Sequence, residues 1–359
     1  MLSFKEKLRS ALPIADDFYR FRLERSHRRG NAELISRAGR EAFARDNAGT
    51  FEDSMQHWLA REIGKRSLSK GDSLTGQLQR DIVLRALDAG KDQQSLCAAL
   101  LKAARVDAHD TECLRLYLQS FRAINGETLD KLSRAVRSER VAVHVSCLRR
   151  VSRARKAVRS FQDSGESSFS SVIFVGAGED SSLQFDEAEG ILSLPCDDSY
   201  EALPTKVAMA ISVVSMLAGV SSIVKLDDDH RLASPETLRS LALEIERQSR
   251  PIVLGASVNL ANCSAHHRAW HFGKCNTSAL NDHAFGMIPP MEFARGGVGY
   301  LLNRSALDAI RWYSIYFADF IASVLYEDMC VGALVTQAGG RVVDWAIQDV
   351  IYASAEDDT

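Results

Sequence analysis

Three consecutive aspartates, Asp227, Asp228 and Asp229, directly follow the apolar run IVKL (223–226). Carboxylates this close raise one another's pKa unless a positive charge lies among them. A hard divalent cation with oxygen ligands resolves the conflict, and Mg²⁺ or Mn²⁺ with a substrate diphosphate suits such a group best. The triplet therefore predicts a metal site. The alternative is an acidic loop or helix N-terminus in solvent.

The elements that would position this triplet belong to an alternating pattern of strands and helices. Buried strands are predicted at 141–148, 171–178, 223–226 and 251–258, and helices at 152–162, 200–217 and 235–249. This order is typical of an α/β fold with parallel strands, flanked by helices. Ligands of such sheets bind at the carboxyl ends of the strands, and the triplet follows one of them.

The first part of the chain has a different character. Apolar residues recur at helical spacing in 1–135, which predicts an all-α N-terminal domain of unknown role before an α/β domain at 136–359. Residues 1–160 carry 32 basic and 20 acidic side chains, whereas residues 161–359 carry 12 and 27. The basic half suggests an anionic partner, and the alternative is a set of solvated helix faces.

Composition excludes several classes of protein. With 46% hydrophobic and 25% charged residues, the 359-residue chain is neither a collagen nor largely disordered. Its seven cysteines include no CxxC pair, which favours a reducing compartment over a disulfide or zinc framework. The start of the chain lacks the apolar region of a signal peptide. The uncharged stretch 207–224 predicts a buried helix, a turn at Gly219 and a strand, and the alternative is a membrane span.

From about residue 141 to 335, five segments in order resemble motifs of glycosyltransferase family 31, the β1,3-galactosyltransferase and Fringe-type enzymes. They are RKAVRSF (155–161), DSYEALPTK (198–206), KLDDD (225–229), ARGGVGYLLNRSAL (294–307) and YEDMCVG (326–332). The resemblance implies a nucleotide-binding sheet of the GT-A type. It also implies metal-dependent, inverting transfer of a sugar from a nucleotide sugar, usually a uridine diphosphate (UDP) sugar, to an acceptor hydroxyl. The first 135 residues are not covered.

The resemblance implies roles for the acidic residues around the metal. Asp229 becomes the direct ligand of Mn²⁺ or Mg²⁺, and Asp227 and Asp228 contact the ribose or groups around the metal, with Asp227 a further candidate ligand. Family members often add a histidine near the C-terminus, where this chain has Asp349, and His230 is another candidate. Such a cation stabilises the charge that develops on the leaving diphosphate.

The resemblance makes Asp328 the general base, which takes the proton from the acceptor hydroxyl. Largely apolar residues flank Asp328, and burial would raise its pKa as a base requires. Glu327 would orient the acceptor or cap a helix. The alternative for both is the first turn of a helix, where carboxylates favour the dipole.

Other residues have weaker assignments. Arg155 and Arg159 could grip the phosphates or base of the donor, or lie on an exposed basic helix. Lys206 is either structural or close to the donor. Gly296 and Gly297 would lie by the donor sugar, or form a plain turn. Three aromatic residues could stack on sugars or belong to the core: Trp270, His271 and Trp312.

Unlike the animal members of the family, this chain shows no anchor. A bacterial-type cytoplasmic enzyme is therefore expected, acting on a glycan, glycolipid or protein acceptor, with peripheral contact of its basic half to the anionic inner face of the membrane. No nucleic-acid partner is expected. The alternatives are a nucleotidyltransferase, which shares the carboxylate and metal chemistry, and a non-catalytic nucleotide-binding or scaffold protein.

Overall fold

The computed structural model describes residues 117–118, 121–122, 124–259, 269–282, 292–316 and 318–353. The chain divides into two compact units, and the described residues from Thr128 onward belong to one of them. Apart from its last helix and a few residues before it, the predicted N-terminal domain lies outside the described residues. From β1 onward the described chain has an α/β fold, as the sequence predicts.

Helices and short strands alternate along the described chain. The helices are α1 (Gly126–Ala135), α2 (Val151–Asp163), α3 (Leu203–Ser215), α4 (Pro235–Glu246), α5 (Arg304–Tyr316), α6 (Ala318–Ser323) and α7 (Glu327–Gln337). The strands are β1 (Arg140–Val145), β2 (Phe169–Gly176), β3 (Gln184–Asp186), β4 (Ile191–Leu194), β5 (Ser222–Asp227), β6 (His230–Leu232), β7 (Ile252–Gly255), β8 (Ser257–Val258), β9 (Phe293–Ala294), β10 (Tyr300–Asn303), β11 (Arg341–Asp344) and β12 (Ile351–Ala353).

Eight strands form one sheet in the order β11-β7-β10-β5-β1-β2-β4-β3. β1 pairs in parallel with β2 and β5, and β4 and β11 also have parallel partners. The sheet is nevertheless mixed, which corrects the expectation of parallel strands alone. β10 runs antiparallel between β5 and β7, and β3 pairs antiparallel with β4. β3 and β4 are joined by a short turn, and a turn of that length can only connect antiparallel strands.

The central strands are buried because their sequences are apolar on both faces. β1 is RVAVHV and β5 is SIVKLD, and both bury nearly every side chain. The uncharged stretch 207–224 divides as predicted into part of α3, a turn and the start of β5, with Gly219 at a φ of 85°. Among the described residues no helix is both long enough and apolar enough to cross a membrane.

The order of connection defines one crevice in the sheet. From β1 the chain moves outward to β2 and β4 on one side, and then returns to β5 on the other side of β1. The carboxyl ends of β1 and β5 lie side by side, since Val145 is paired with Asp227. Such a reversal point is where open α/β sheets bind their ligands.

Candidate functional site

Lys225 joins the two acidic groups that the sequence analysis singles out. Its ammonium lies 2.6 Å from Asp227 Oδ1 and 2.7 Å from Glu327 Oε1, and its side chain is only 1% exposed. Lys225 and Asp227 are two positions apart on β5, so their side chains point to the same face of the sheet. Burial acts to lower the pKa of Lys225, but the two carboxylates outweigh it, and the pKa lies above its ordinary value. The lysine is therefore charged and links β5 to α7.

Glu327 is fixed from three sides. Its Oε2 accepts a hydrogen bond of 2.8 Å from the Tyr300 hydroxyl, opposite the Lys225 contact. A Cβ placed on Gly296 would lie 2.0 Å from Glu327 Oε1, so any larger residue here would force this carboxylate to move. The buried Glu327 is thus part of the frame of the site.

Arg153, on α2, holds the other two aspartates. Its Nη2 donates to Asp229 Oδ2 at 2.8 Å, and its Nε lies 3.7 Å from Asp228 Oδ1. Asp228 also accepts a hydrogen bond of 3.0 Å from the Ser146 hydroxyl, at the end of β1. Burial and the neighbouring Asp227 raise the pKa of Asp228 to about 6. Asp228 therefore packs inward, between β1 and β5.

His230 has a defined tautomer. Its Nδ1 accepts from the backbone N–H of Asp227 at 3.0 Å, so Nε2 carries the proton and donates to the Gly297 carbonyl at 3.0 Å. Nε2 also lies 3.9 Å from Asp227 Oδ2 and 4.0 Å from Asp229 Oδ1. A metal could be ligated by Nε2 only if the bond to Gly297 were given up.

The group Asp227, Asp229 and His230 could hold a metal ion, because its ligand atoms lie within 4.8 Å of one another. Asp227 Oδ2 and Asp229 Oδ1 accept no hydrogen bond from the described residues, and both face the same space. Two carboxylate oxygens fit Mg²⁺ or Mn²⁺, which complete their coordination with water and substrate phosphates. Burial acts to raise the pKa of Asp227, but Lys225 and His230 outweigh it and keep the pKa below its ordinary value.

Asp328, in the first turn of α7, lies in the same cluster. Its Oδ2 accepts from the backbone N–H of Gly296 at 3.0 Å and its Oδ1 from that of Met329 at 2.8 Å. Gly296 is also bonded to Lys225, through its carbonyl at 3.3 Å. Burial, and after it the charge of Glu327, raises the pKa of Asp328 to about 7. The structure thus brings Asp328 and the aspartate triplet to the same end of the sheet.

Lys206 forms hydrogen bonds that hold the chain at the carboxyl ends of β1 and β2 in place. The buried ammonium donates to Asp198 Oδ1 at 2.6 Å and to the Ser146 carbonyl at 3.0 Å. Asp198 in turn accepts from the backbone N–H groups of Gly176 and Leu148. These bonds join the carboxyl ends of β1 and β2, and every contact of Lys206 in the described chain is of this positioning kind.

Arg155, Arg159 and Asp349 are not brought into the cluster. Arg155 pairs with Glu189 at 2.7 Å, and Arg159 is exposed on α2. Asp349 is exposed just before β12, whose Ile351 pairs with Leu232 and whose Ala353 pairs with His230. Asp349 therefore lies at the end of this ladder that is distant from His230.

Sequence reasoning missed Lys225, Arg153 and Tyr300 as members of the site. Arg153 stands two residues before Arg155, and only the phase of α2, which buries Ala154 and Ala157, decides which arginine faces the triplet. Lys225 carries a usable signal, because a lysine inside an otherwise apolar strand needs a buried anionic partner.

The three candidate aromatic residues have different fates. Trp312 and His271 are buried, each 1% exposed, whereas Trp270 is 52% exposed. His271 donates from Nε2 to the Leu280 carbonyl at 2.8 Å, and its Nδ1 accepts from the Tyr326 hydroxyl at 2.6 Å. Trp270 is the most exposed of the three.

No protein-family model matches this chain, and no curated protein matches it either.

Proposed function

We propose that this protein is a metal-dependent inverting glycosyltransferase that moves a sugar from a nucleotide sugar, of the UDP type, to an acceptor hydroxyl. The observation that carries the proposal is the junction of two acidic groups of different character through Lys225 and Gly296. Asp227 has a lowered pKa, while the pKa of Asp328 is raised to about 7. When the pKa values of two carboxyl groups differ in this way, the one with the lower pKa stays charged and can bind a cation, and the one with the higher pKa can take up and release a proton.

The charge of the site supports a cationic ligand. Residues 227–229 and 327–328 contribute five carboxyl groups. Among the described residues, the lysine and arginine side chains that form salt bridges with this group are Lys225 and Arg153. A divalent ion at the two open oxygens would offset the excess and would stabilise the charge on a leaving diphosphate.

The residues of the chain would then divide the work. Asp328 takes the proton of the acceptor hydroxyl, and the backbone N–H groups of Gly296 and Met329 hold its carboxylate in place. Glu327 and Lys225 fix the distance between this base and the triplet. Arg153 holds Asp229, and its charge lies where the diphosphate would bind.

The same proposal covers the type of sheet, the place where the enzyme works and the class of its acceptor. The mixed sheet with its ligand crevice at the carboxyl ends of β1 and β5 is interpreted as a GT-A type sheet, and the enzyme as one that works at the cytoplasmic face of a membrane on a glycan, glycolipid or protein acceptor. The resemblance of five ordered motifs to family 31 and the switch-point position of the triplet support this interpretation.

The test combines binding with turnover. Mn²⁺ and then UDP are titrated into the purified full chain by calorimetry, and a panel of nucleotide sugars is assayed for release of the nucleoside diphosphate. The native protein should bind UDP only when Mn²⁺ is present. Asp229→Asn should weaken Mn²⁺ binding, and Asp328→Asn should keep UDP binding but abolish turnover. Asp163→Asn, which changes an exposed aspartate at the end of α2, is the matched control.

The products also separate the alternatives. A nucleotidyltransferase would transfer the nucleotide and would not release a nucleoside diphosphate. A binding protein would hold UDP with no turnover of any donor, with Asp328→Asn indistinguishable from native. Failure to bind either Mn²⁺ or UDP would overturn the proposal.

A further inference from the structure

Arg150 and Lys274 are exposed cations near the candidate site, and neither forms a salt bridge with another of the described residues. Arg150 directly precedes α2, and Lys274 belongs to the segment 269–282. The Lys274 ammonium lies over an aromatic surface, with Nζ 4.0 Å from the centre of the Trp270 ring and 5.7 Å from that of Tyr200. Contact with the rings restricts the position of the ammonium and leaves its charge in place.

The main chain that carries Lys274 is anchored by hydrogen bonds. The side chain of Asn281 bonds to both backbone groups of Cys275, with its Oδ1 accepting at 3.0 Å and its Nδ2 donating at 2.8 Å. The backbone N–H of Thr277 donates to Glu201 Oε1 at 2.8 Å, just before α3. Lys274 is therefore presented from a fixed backbone.

A short series of contacts brings Lys274 and Arg150 to the same corner of the sheet. Lys274 lies against Tyr200, which stands two residues after Asp198. Asp198 Oδ2 accepts from the backbone N–H of Leu148 at 2.6 Å, and Leu148 stands two residues before Arg150. Both cations are thus attached where β1 and β4 end, at the edge of the sheet that also carries the candidate metal group.

The charges at this corner act on one another. Partial burial lowers the pKa of Lys274, and after burial the charge of Asp227 acts to raise it and that of Arg150 to lower it. Asp229 also acts to raise the pKa of Lys274, and Lys274 in turn acts to lower that of Asp227. Two cations that repel each other beside carboxylates that could hold a metal ion suit an anion bound to all three positive charges.

We propose that Arg150 and Lys274 form an anion clamp for a diphosphate group, next to a divalent ion on Asp227 and Asp229. This inference rests on the proposed function, in which the diphosphate is that of the nucleotide sugar, and it assigns to the leaving group two residues outside the five motifs. The ion and the two side chains would contact different phosphate oxygens. Because the two cations repel an ion that arrives alone, the site would favour the ion together with its diphosphate.

The test separates metal binding from diphosphate binding in the purified full chain. Mn²⁺ alone is titrated by calorimetry, and inorganic pyrophosphate is then titrated in the presence of Mn²⁺. Lys274→Gln and Arg150→Gln should each weaken pyrophosphate binding about threefold to fivefold, as expected for exposed charge pairs. The double variant should weaken it about tenfold to twentyfold if the two effects add, and Lys274→Arg should resemble the native protein. Both glutamine variants should bind Mn²⁺ alone at least as tightly as the native protein, because each removes a charge that repels it.

The matched control is Arg341→Gln, which should leave both affinities unchanged. It removes an exposed arginine at the start of β11, and β11 runs in the same direction as β5, so this position lies at the opposite edge of the sheet. Native pyrophosphate affinity in the double variant overturns the inference. An equal loss of Mn²⁺ and pyrophosphate binding also overturns it, because general damage to the site then explains both.

A titration of UDP in the presence of Mn²⁺ keeps this inference apart from the proposed function. UDP should lose affinity in the glutamine variants by the same factor as pyrophosphate. A native protein that binds pyrophosphate through Lys274 but does not bind UDP would support the clamp and refute the proposed function. Tight UDP binding that is the same in native protein and double variant would refute the clamp and leave the proposed function standing.

Discussion

Two aspartates of the same site differ at the scale of single residues because their neighbours differ. Asp227 lies 2.6 Å from the Lys225 ammonium, whereas both oxygens of Asp328 accept hydrogen bonds from backbone N–H groups. After burial, the largest influence on the pKa of Asp328 is the charge of Glu327, which repels a second negative charge. Residue type and order along the chain predicted both acids. The division between them depends on Lys225, whose partner lies on another element.

The pKa of Asp328 predicts how activity depends on pH. A base with a pKa raised to about 7 is protonated below that pH, so kcat/KM for sugar transfer should fall as pH decreases through about 7. Asp328→Asn should lower kcat about 10²- to 10⁴-fold and remove this limb of the profile. The measurement is the rate of nucleoside diphosphate release from about pH 5 to about pH 9, roughly two units on either side of the pKa of Asp328. A native profile in Asp328→Asn would exclude Asp328 as the base.

His144 in the middle of β1 predicts a sensitivity to acid that concerns stability and not catalysis. It is fully buried, neither ring nitrogen has a hydrogen-bond partner among the described residues, and its ring meets Phe161 edge-on. Burial, and then the charges of His230 and Arg231, lower the pKa of His144 to about 3. The unfolded chain takes up this proton near pH 6.5 and the folded chain does not, so the contribution is complete above pH 6.5 and is lost as pH falls toward 3.

His144→Leu should therefore reduce the loss of stability in acid. Between pH 7 and pH 4 the native protein should lose about 3 kcal/mol more of its free energy of unfolding than the variant. Urea unfolding at the two pH values measures the difference. Val143→Ala on the same strand is the control, since it should lower stability by the same amount at both. Identical acid sensitivity in native protein and His144→Leu would show that His144 is not the responsible group.

At the scale of elements, the turn that contains Gly296 and Gly297 lies against Glu327 at one of these two adjacent positions and not at the other. A Cβ on Gly296 would lie 2.0 Å from Glu327 Oε1, whereas a Cβ on Gly297 meets nothing within 4 Å, and neither glycine has a positive φ. Gly296→Ala should displace Glu327 and weaken its contact with Lys225, which lowers kcat and also stability by about 1–3 kcal/mol. Gly297→Ala should resemble the native protein.

Steady-state kinetics and thermal unfolding of the two alanine variants check this prediction. Because both variants add one methyl group to the same turn, a general effect of reduced chain flexibility would change them alike. Equal behaviour of Gly296→Ala and Gly297→Ala would mean that Glu327 does not depend on this close approach.

Sequence patterns predicted the positions of the buried strands better than their direction and register. The buried strands β1, β2 and β5 were predicted within two or three residues because continuous apolar runs between turns have few other interpretations. The direction of β10 was not predicted, because the run YLL is equally apolar whichever way the strand is inserted. The distance of Asp349 from the triplet is set by the register of β12 on β6, which pairs residues far apart in sequence.

At the scale of the whole molecule, the uneven charge has a visible counterpart at the mouth of the crevice. Leu148, shortly after the end of β1, is 58% exposed, and Arg149 and Arg150 beside it are exposed as well. The backbone N–H of Leu148 donates to Asp198, so this basic and apolar corner is fixed at the same sheet edge as the site. An apolar side chain flanked by arginines suits the interface of an anionic membrane, where a lipid-linked acceptor would be presented.

The full chain should therefore float with phosphatidylserine vesicles at low salt and release them at high salt, because screening weakens attraction between exposed charges. The double variant Leu148→Gln, Arg149→Gln should bind these vesicles about fivefold to tenfold more weakly, since each basic residue near the surface contributes about 1 kcal/mol. Arg150 is left intact because its charge lowers the pKa of Asp228. The paired control, Leu243→Gln with Arg341→Gln, removes an exposed leucine and an exposed arginine from other elements and should float like the native protein. A native chain that stays with the soluble fraction at low salt would refute the membrane contact, and equal flotation of the double variant would place that contact away from Leu148.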